Sequence, residues 1–256
     1  MLDAEVVPTE LMTVNKHGRI LCYPNVQTDE FMRRLTELED LGVQRLEFSG
    51  KAKINSTLVL GKGCVGIVIV AHSQFGRTAL KMRRIDADRS AMKHEKEMLE
   101  LANKISIGPT LFATTENFLL MELIEGELLC DWVKLERGQG ELQSILMTLL
   151  EECFKLDALR LDHGQLSNAS KHVIVDQRRY PKIVDFETAS NLRRPANVTS
   201  MCQYLFFESE VSRRIARMHI NLNRVDLIEK LRMYKTVPDR KNFNEILRVC
   251  GLPAGQ

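Results

Sequence analysis

The sequence has no apolar run of about 18 residues, the length a membrane-crossing helix needs, so no transmembrane segment is expected. Its opening, Met-Leu-Asp-Ala-Glu, lacks the basic stretch followed by an apolar one that marks a secretory signal. There is no C-x-x-C pair. Six cysteines stand apart at positions 22, 64, 130, 153, 202 and 250, which argues against zinc and for reduced thiols packed as small apolar residues. The expectation is a cytoplasmic chain, in which the Asn197-Val198-Thr199 sequon is a chance match. Charge imbalance is absent too: a formal net charge of +2 with 27% charged residues gives no general pull toward nucleic acid or membrane. Neither an internal repeat nor a low-complexity segment interrupts the chain. What remains is 256 residues with 44% hydrophobic content, enough for one large core or two moderate lobes.

Residues 1–50 read as a small αβ extension. Gly18-Arg19-Ile20-Leu21-Cys22-Tyr23 has the look of a strand entered from a turn. Thr28 then caps a helix through Phe31, Leu35 and Leu38, with Gly42 just past its end. From residue 51 to 125 the pattern is sheet-rich. Leu58–Leu60, Ile67–Val70, Thr78–Lys81 and Phe118–Met121 are short β-rich runs, and a helix from Asp88 to Asn103 interrupts them. Residues 126–256 are largely helical, at Leu142–Leu156, after Phe206, and at Phe243–Cys250. A strand-like pair, His172–Val175 and Lys182–Val184, lies between them. The fold class is therefore α+β, in two lobes.

Gly61-x-Gly63-x-x-Gly66-x-Val68 falls between two predicted strands, a context that argues for a glycine-rich hairpin rather than a turn opening a helix. Such glycines let backbone approach phosphate oxygens and adopt φ values that other residues resist. Lys81 ends the next strand, fifteen residues after Gly66, where an ammonium can pair with phosphates and be held by a helix carboxylate. Glu95 and Glu97 are both available for that role. Glu95 shares an inward stripe with Met92, Leu99 and Ala102, so it is the expected partner.

Gly61–Val68, Ala79–Lys81 and Glu95 together resemble the glycine loop, strand lysine and helix glutamate of the protein kinases. The resemblance extends from about residue 55 to 190 and implies a two-lobe protein-kinase-like fold with a minimal helical C-lobe. Lys81–Arg89, Leu161–Val175 and Asp185–Ser190 are similar to an archaeal group of predicted Ser/Thr kinases in the style of the RIO-like atypical kinases. By this resemblance Leu60, Gly61, Gly63, Gly66, Val68, Ala79 and Lys81 hold ATP, and Met121, Glu122 and Leu123 form the adenine-binding hinge. His163-Gly164-Gln165-Leu166 looks like the catalytic loop, and Asp185-Phe186-Glu187 like the metal-binding motif, with Mg²⁺ on Asp185. Only 69 residues follow Glu187, fewer than an ordinary kinase needs for its substrate-docking helices.

The chain departs from that pattern at three positions. Gln165 stands where the kinases place an aspartate that accepts the substrate hydroxyl proton, and an amide has no useful basicity. Ser170 is the expected second metal ligand, with His172 and Asn168 as alternatives; Mg²⁺ prefers oxygen to imidazole. Glu187 replaces a glycine, as a second carboxylate near the metal, an unusual base, or a residue that stiffens the turn. Asp162 is expected to face away from the site.

The catalytic set is thus Lys81, Glu95, His163, Gln165 and Asp185. The function expected is transfer of the γ-phosphate of ATP to protein serine or threonine. The alternatives are a RIO-like ATPase or ATP-gated switch, a small-molecule phosphotransferase, and a pseudokinase binding module. Arginines cluster at Arg83, Arg84 and Arg89, at Arg193 and Arg194, and at Arg213, Arg214 and Arg217. They offer a contact for RNA or a ribosomal partner, or simply solvated helix faces.

Overall fold

A computed structural model describes residues 4–135, 138–207, 209–217 and 222–253, and the chain divides into two compact units. The first comprises Met1–Asn103 and Pro109–Leu123; the second comprises Lys104–Gly108 and Ile124–Gln256. Both mix helices with antiparallel sheet, so the class is α+β. No helix among the described residues is long and apolar enough to cross a membrane.

In chain order the first unit contains β1 (Glu5–Pro8), α1 (Val14–Leu21), α2 (Thr28–Asp40), β2 (Val43–Phe48), β3 (Ala52–Ile54) and β4 (Thr57–Val59). It continues with β5 (Gly61–Lys62), β6 (Gly66–Ser73), β7 (Gly76–Arg83), α3 (Arg89–Asn103), β8 (Leu111–Thr114) and β9 (Phe118–Glu122). Its main sheet has the order β1-β2-β6-β7-β9-β8, with β5 paired to β6. Because side chains alternate along a strand, each face takes every second residue. Ile67, Ile69, Ala71, Leu80, Met82, Phe118 and Leu120 enter one core with Leu21, Phe31 and Leu38 of α1 and α2. The register then sets Val68 opposite Lys81 and Lys81 opposite Leu119, all on the other face.

Two expectations for residues 1–50 change. The run Gly18–Tyr23 is not a strand: Val14–Leu21 is helical. His17, Gly18 and Leu21 are buried at helical spacing, and a Cβ on Gly18 would stand 2.8 Å from Cγ1 of Val26, in the segment between α1 and α2. Nor does Thr28 cap the next helix, whose N-cap position is taken by Gln27; β2 after it pairs with β6 from Val43↔Ser73 to Glu47↔Val70. Arg34 of α2 is wholly buried and ties this region together. It donates to Leu21 O (2.5 Å), Arg83 O (2.7 Å), Glu30 Oε1 (2.8 Å) and Asn117 Oδ1 (3.2 Å).

The second unit contains β10 (Gly126–Leu128), α4 (Leu129–Trp132), α5 (Gln139–Ala158), β11 (Val173–Asp176) and β12 (Pro181–Ile183). Four helices follow: α6 (Asn197–Phe206), α7 (Glu210–Arg217), α8 (Arg224–Thr236) and α9 (Arg240–Val249). Helix α5 buries Leu142, Ile145, Leu146, Leu149, Cys153 and Leu156 and serves as its core. Helix α8 is capped by Asn223, whose side chain accepts from Val225 and Asp226 N–H; α9 is capped by Asp239. Gly251, at φ +66°, ends α9. All six cysteines are free.

Candidate functional site

The face of the first sheet turned away from α1 and α2 carries the first group of candidate residues. Lys81 Nζ lies 2.8 Å from both carboxylate oxygens of Glu95 on α3. The two residues are 4% and 2% exposed. Glu97 is exposed, as its position on the opposite side of α3 requires. Burying such a pair costs desolvation that an apolar pair would avoid, so stability alone is a weak reason for its presence.

Gly66 sits directly against this lysine. A Cβ there would meet Met82 O at 3.0 Å, Lys81 Cε at 3.1 Å and Lys81 Cγ at 3.2 Å. None of Gly61, Gly63 and Gly66 has a left-handed φ, contrary to the expectation from the motif. What Gly66 supplies is room for the lysine rather than an unusual backbone conformation. The turn itself is closed by Gly63 N–H donating to Gly66 O (2.8 Å) and by Arg84, whose N–H donates to Val65 O (2.8 Å). Leu60 N–H donates to Val68 O, and Val68 and Ala79 lie on adjacent strands.

At the end of β9, Met121 pairs with Ala79. Glu122 N–H donates to Thr110 O (2.8 Å), and its carboxylate accepts from Thr110 N–H and Oγ1. Its N–H is therefore committed within the sheet.

The second unit carries the other candidates. His163 is wholly buried. Its N–H donates to Asn197 Oδ1 (2.9 Å), its Nε2 contacts Val184 O (3.1 Å), and its ring stands edge-on to Phe186 with centroids 5.1 Å apart. Burial, with the nearby His172, pushes its pKa down to about 4, so the ring is neutral near pH 7. A neutral ring in contact with a carbonyl carries its hydrogen on Nε2 and donates it to Val184 O. Gly164, at φ +87°, must be glycine, because a Cβ would stand 2.5 Å from Arg193 Nη2 and 2.9 Å from Thr188 O. Gln165 follows at the start of a 3-10 turn over Leu166–Lys171, with its Oε1 buried and without a hydrogen-bond donor among the described residues.

Asp162, just before His163, has partners of its own. Its carboxylate accepts from Arg193 Nε (3.0 Å) and Ala196 N–H (3.2 Å), and its backbone bridges to Ser190. Asn197 is the residue that sequence reasoning missed. At the start of α6 it receives His163 N–H and donates through Nδ2 to Asp157 Oδ1 (2.8 Å) and Leu161 O (2.7 Å), holding the loop from both sides. Its only signal in the sequence is an asparagine ahead of an apolar helical run.

Asp185 has φ +70°, rare for a residue with a side chain, and its Oδ2 is 3.7 Å from His172 Nδ1. Its carboxylate and that of Glu187 bring oxygens within 4.8 Å of each other. The Ser170 hydroxyl donates to Asn168 Oδ1 at 3.3 Å. Two carboxylates suit a hard cation such as Mg²⁺, which keeps waters and phosphate oxygens for its other positions. Asp185 and Glu187 would hold it.

Several of the clustered arginines are engaged internally. Arg83 donates to Asn117 Oδ1 and Ala87 O, Arg84 pairs with Asp86, Arg193 pairs with Asp162, and Arg194 donates to Lys235 O. The side chain of Arg89 lies outside the described residues. No family model matches the chain, and no curated protein matches it.

Proposed function

We propose that this chain binds ATP and Mg²⁺ through a two-lobe protein-kinase-like fold and transfers the γ-phosphate to a serine or threonine hydroxyl of a protein. The observation that carries the reading is the buried Lys81–Glu95 pair set against Gly66. A lysine held by a carboxylate, with a side-chain-free backbone beside it, suits an ammonium that contacts phosphates. The hinge contact then falls to Leu123 and the carbonyl of Glu122, since the Glu122 N–H is used by Thr110. Bound Mg²⁺ would neutralise phosphate charge, with Asp185 and Glu187 as its protein ligands.

Gln165 orients the acceptor hydroxyl through its carboxamide and removes no proton. The proton therefore leaves late, onto the transferred phosphoryl group. Positioning and electrostatics supply most of the rate in phosphoryl transfer, so this arrangement supports slow turnover. The same carboxamide favours a second reading, an ATPase or ATP-gated switch, because its buried oxygen can accept from an attacking water. Six unpaired thiols fit a reducing, cytoplasmic setting for either.

Incubation with γ-labelled ATP and Mg²⁺ separates these readings. Label on protein that disappears in Lys81→Ala and Asp185→Ala is the expected result. Free phosphate without labelled protein selects the ATPase. Absence of ATP binding overturns both.

A further inference from the structure

The second unit has a groove of about 620 Å³ lined by α6 and α8, which uses none of the residues assigned above to ATP or Mg²⁺. Its walls are apolar at Phe207, Ile228 and Leu231, and Ile228 is 39% exposed. Arg232 and Lys235 stand over these walls, three residues apart and so on one helix face. Neither makes an ion pair among the described residues, and no aspartate or glutamate among them lines the groove. Ser200 and Gln203 of α6 add a hydroxyl and an amide. Ser167, two residues past Gln165, also lines it.

We infer that this groove docks a short acidic segment of a partner protein, with carboxylates on Arg232 and Lys235 and an apolar side chain on Phe207, Ile228 and Leu231. Charge decides the class of occupant. Two cations that make no ion pair among the described residues, beside apolar Phe207, Ile228 and Leu231 and with no acidic residue in the described lining, complement an anionic and partly apolar peptide. RNA is the poorer fit. Two cations neutralise few phosphates, and the groove offers one aromatic ring where strand binders use successive stacking platforms. The inference rests on this groove alone and does not depend on ATP binding.

The test is fluorescence anisotropy without nucleotide, using the full chain. The probe is a fluorescein-labelled peptide of glutamates interrupted by leucine and phenylalanine, compared with its lysine counterpart. The glutamate peptide should bind, and Arg232→Glu with Lys235→Glu should weaken it at least about tenfold, since each reversal replaces an attraction by a repulsion. Arg232→Gln with Lys235→Gln, a milder change for the end of α8, should weaken it several-fold. Lys241→Glu on α9 should leave it unchanged. Thermal unfolding would verify that each variant is folded. Three results would overturn the inference: no binding of the glutamate peptide, equal binding of the lysine peptide, or binding that ignores both α8 variants. Loss of a labelled single-stranded RNA by the same variants, with no peptide binding, would assign the groove to nucleic acid instead.

Discussion

Replacing Lys81 by methionine keeps most of its volume and deletes its charge. Glu95, 2% exposed, then loses the cation that offsets its burial. Breaking a buried pair from one side costs about 3–5 kcal/mol, which for a chain of this size lowers the melting temperature by roughly 10 °C. Lys81→Met with Glu95→Leu removes both charges, and because apolar replacements of a buried pair are neutral to favourable, it should melt close to the wild type. Nucleotide binding should not follow stability. Losing a charge-assisted contact to phosphate is worth about 1.5–3 kcal/mol, or ten- to a hundredfold in Kd, and both variants should show that loss. Thermal unfolding followed by ellipticity measures the first quantity, and titration with a fluorescent ATP analogue measures the second. A stable double variant that binds ATP like the wild type would refute the assignment of Lys81. A single variant that melts within about 2 °C of the wild type would refute the claim that the pair is energetically buried.

Gly66→Ala should destabilise the first unit by about 1–3 kcal/mol and weaken ATP binding, because its Cβ meets the Lys81 side chain and Met82 O; calorimetry and the same titration report both. Gln165→Asp supplies the missing base and should raise transfer of label to protein by up to about 10²-fold, with ATP affinity little changed. The third concerns Glu152, whose burial, opposed by the Tyr180 hydroxyl and Lys182, pushes its pKa up to about 7. A carboxyl raised in the folded state contributes stability that is whole below about pH 4.5 and lost as the pH rises through 7. Glu152→Gln should therefore flatten the profile and gain up to about 3 kcal/mol at pH 8 relative to the wild type, as urea midpoints at pH 5 and 8 would record.

Much of the first sheet was legible because its strands are short β-rich runs broken by glycine-containing turns. Ile67–Val70 and Thr78–Lys81 are apolar almost throughout, so which residues share a face with the lysine shows only in the strand register. Glu95 was legible, since the stripe Met92, Leu99, Ala102 excludes Glu97. The strand read at Gly18–Tyr23 failed because Ile20 and Leu21 favour strand locally while Gly18 serves a close contact with Val26 that only the folded chain reveals. The pairing of β2 with β6 is a long-range choice that no local pattern encodes. In the second unit Gly164 and Asp185 could be singled out, but the path of the 3-10 turn could not. That path sets the Ser170 hydroxyl on Asn168, and the Glu187 carboxylate comes within 4.8 Å of that of Asp185. Asn197 stayed hidden because its partners, His163, Leu161 and Asp157, are 34 to 40 residues away.

Arg34 has a consequence in time. Its partners arrive in sequence as the chain is made: Glu30 and Leu21 precede it, the carbonyl of Arg83 comes 49 residues later, and Asn117 comes 83 residues later. At about 5–20 residues per second, synthesis reaches Asn117 roughly 4–17 s after Arg34. Through that interval the guanidinium lacks its last protein acceptors, and water must serve it in their place. The earliest part of the chain to be made is thus completed by the turn that leads into the last strand of its own sheet.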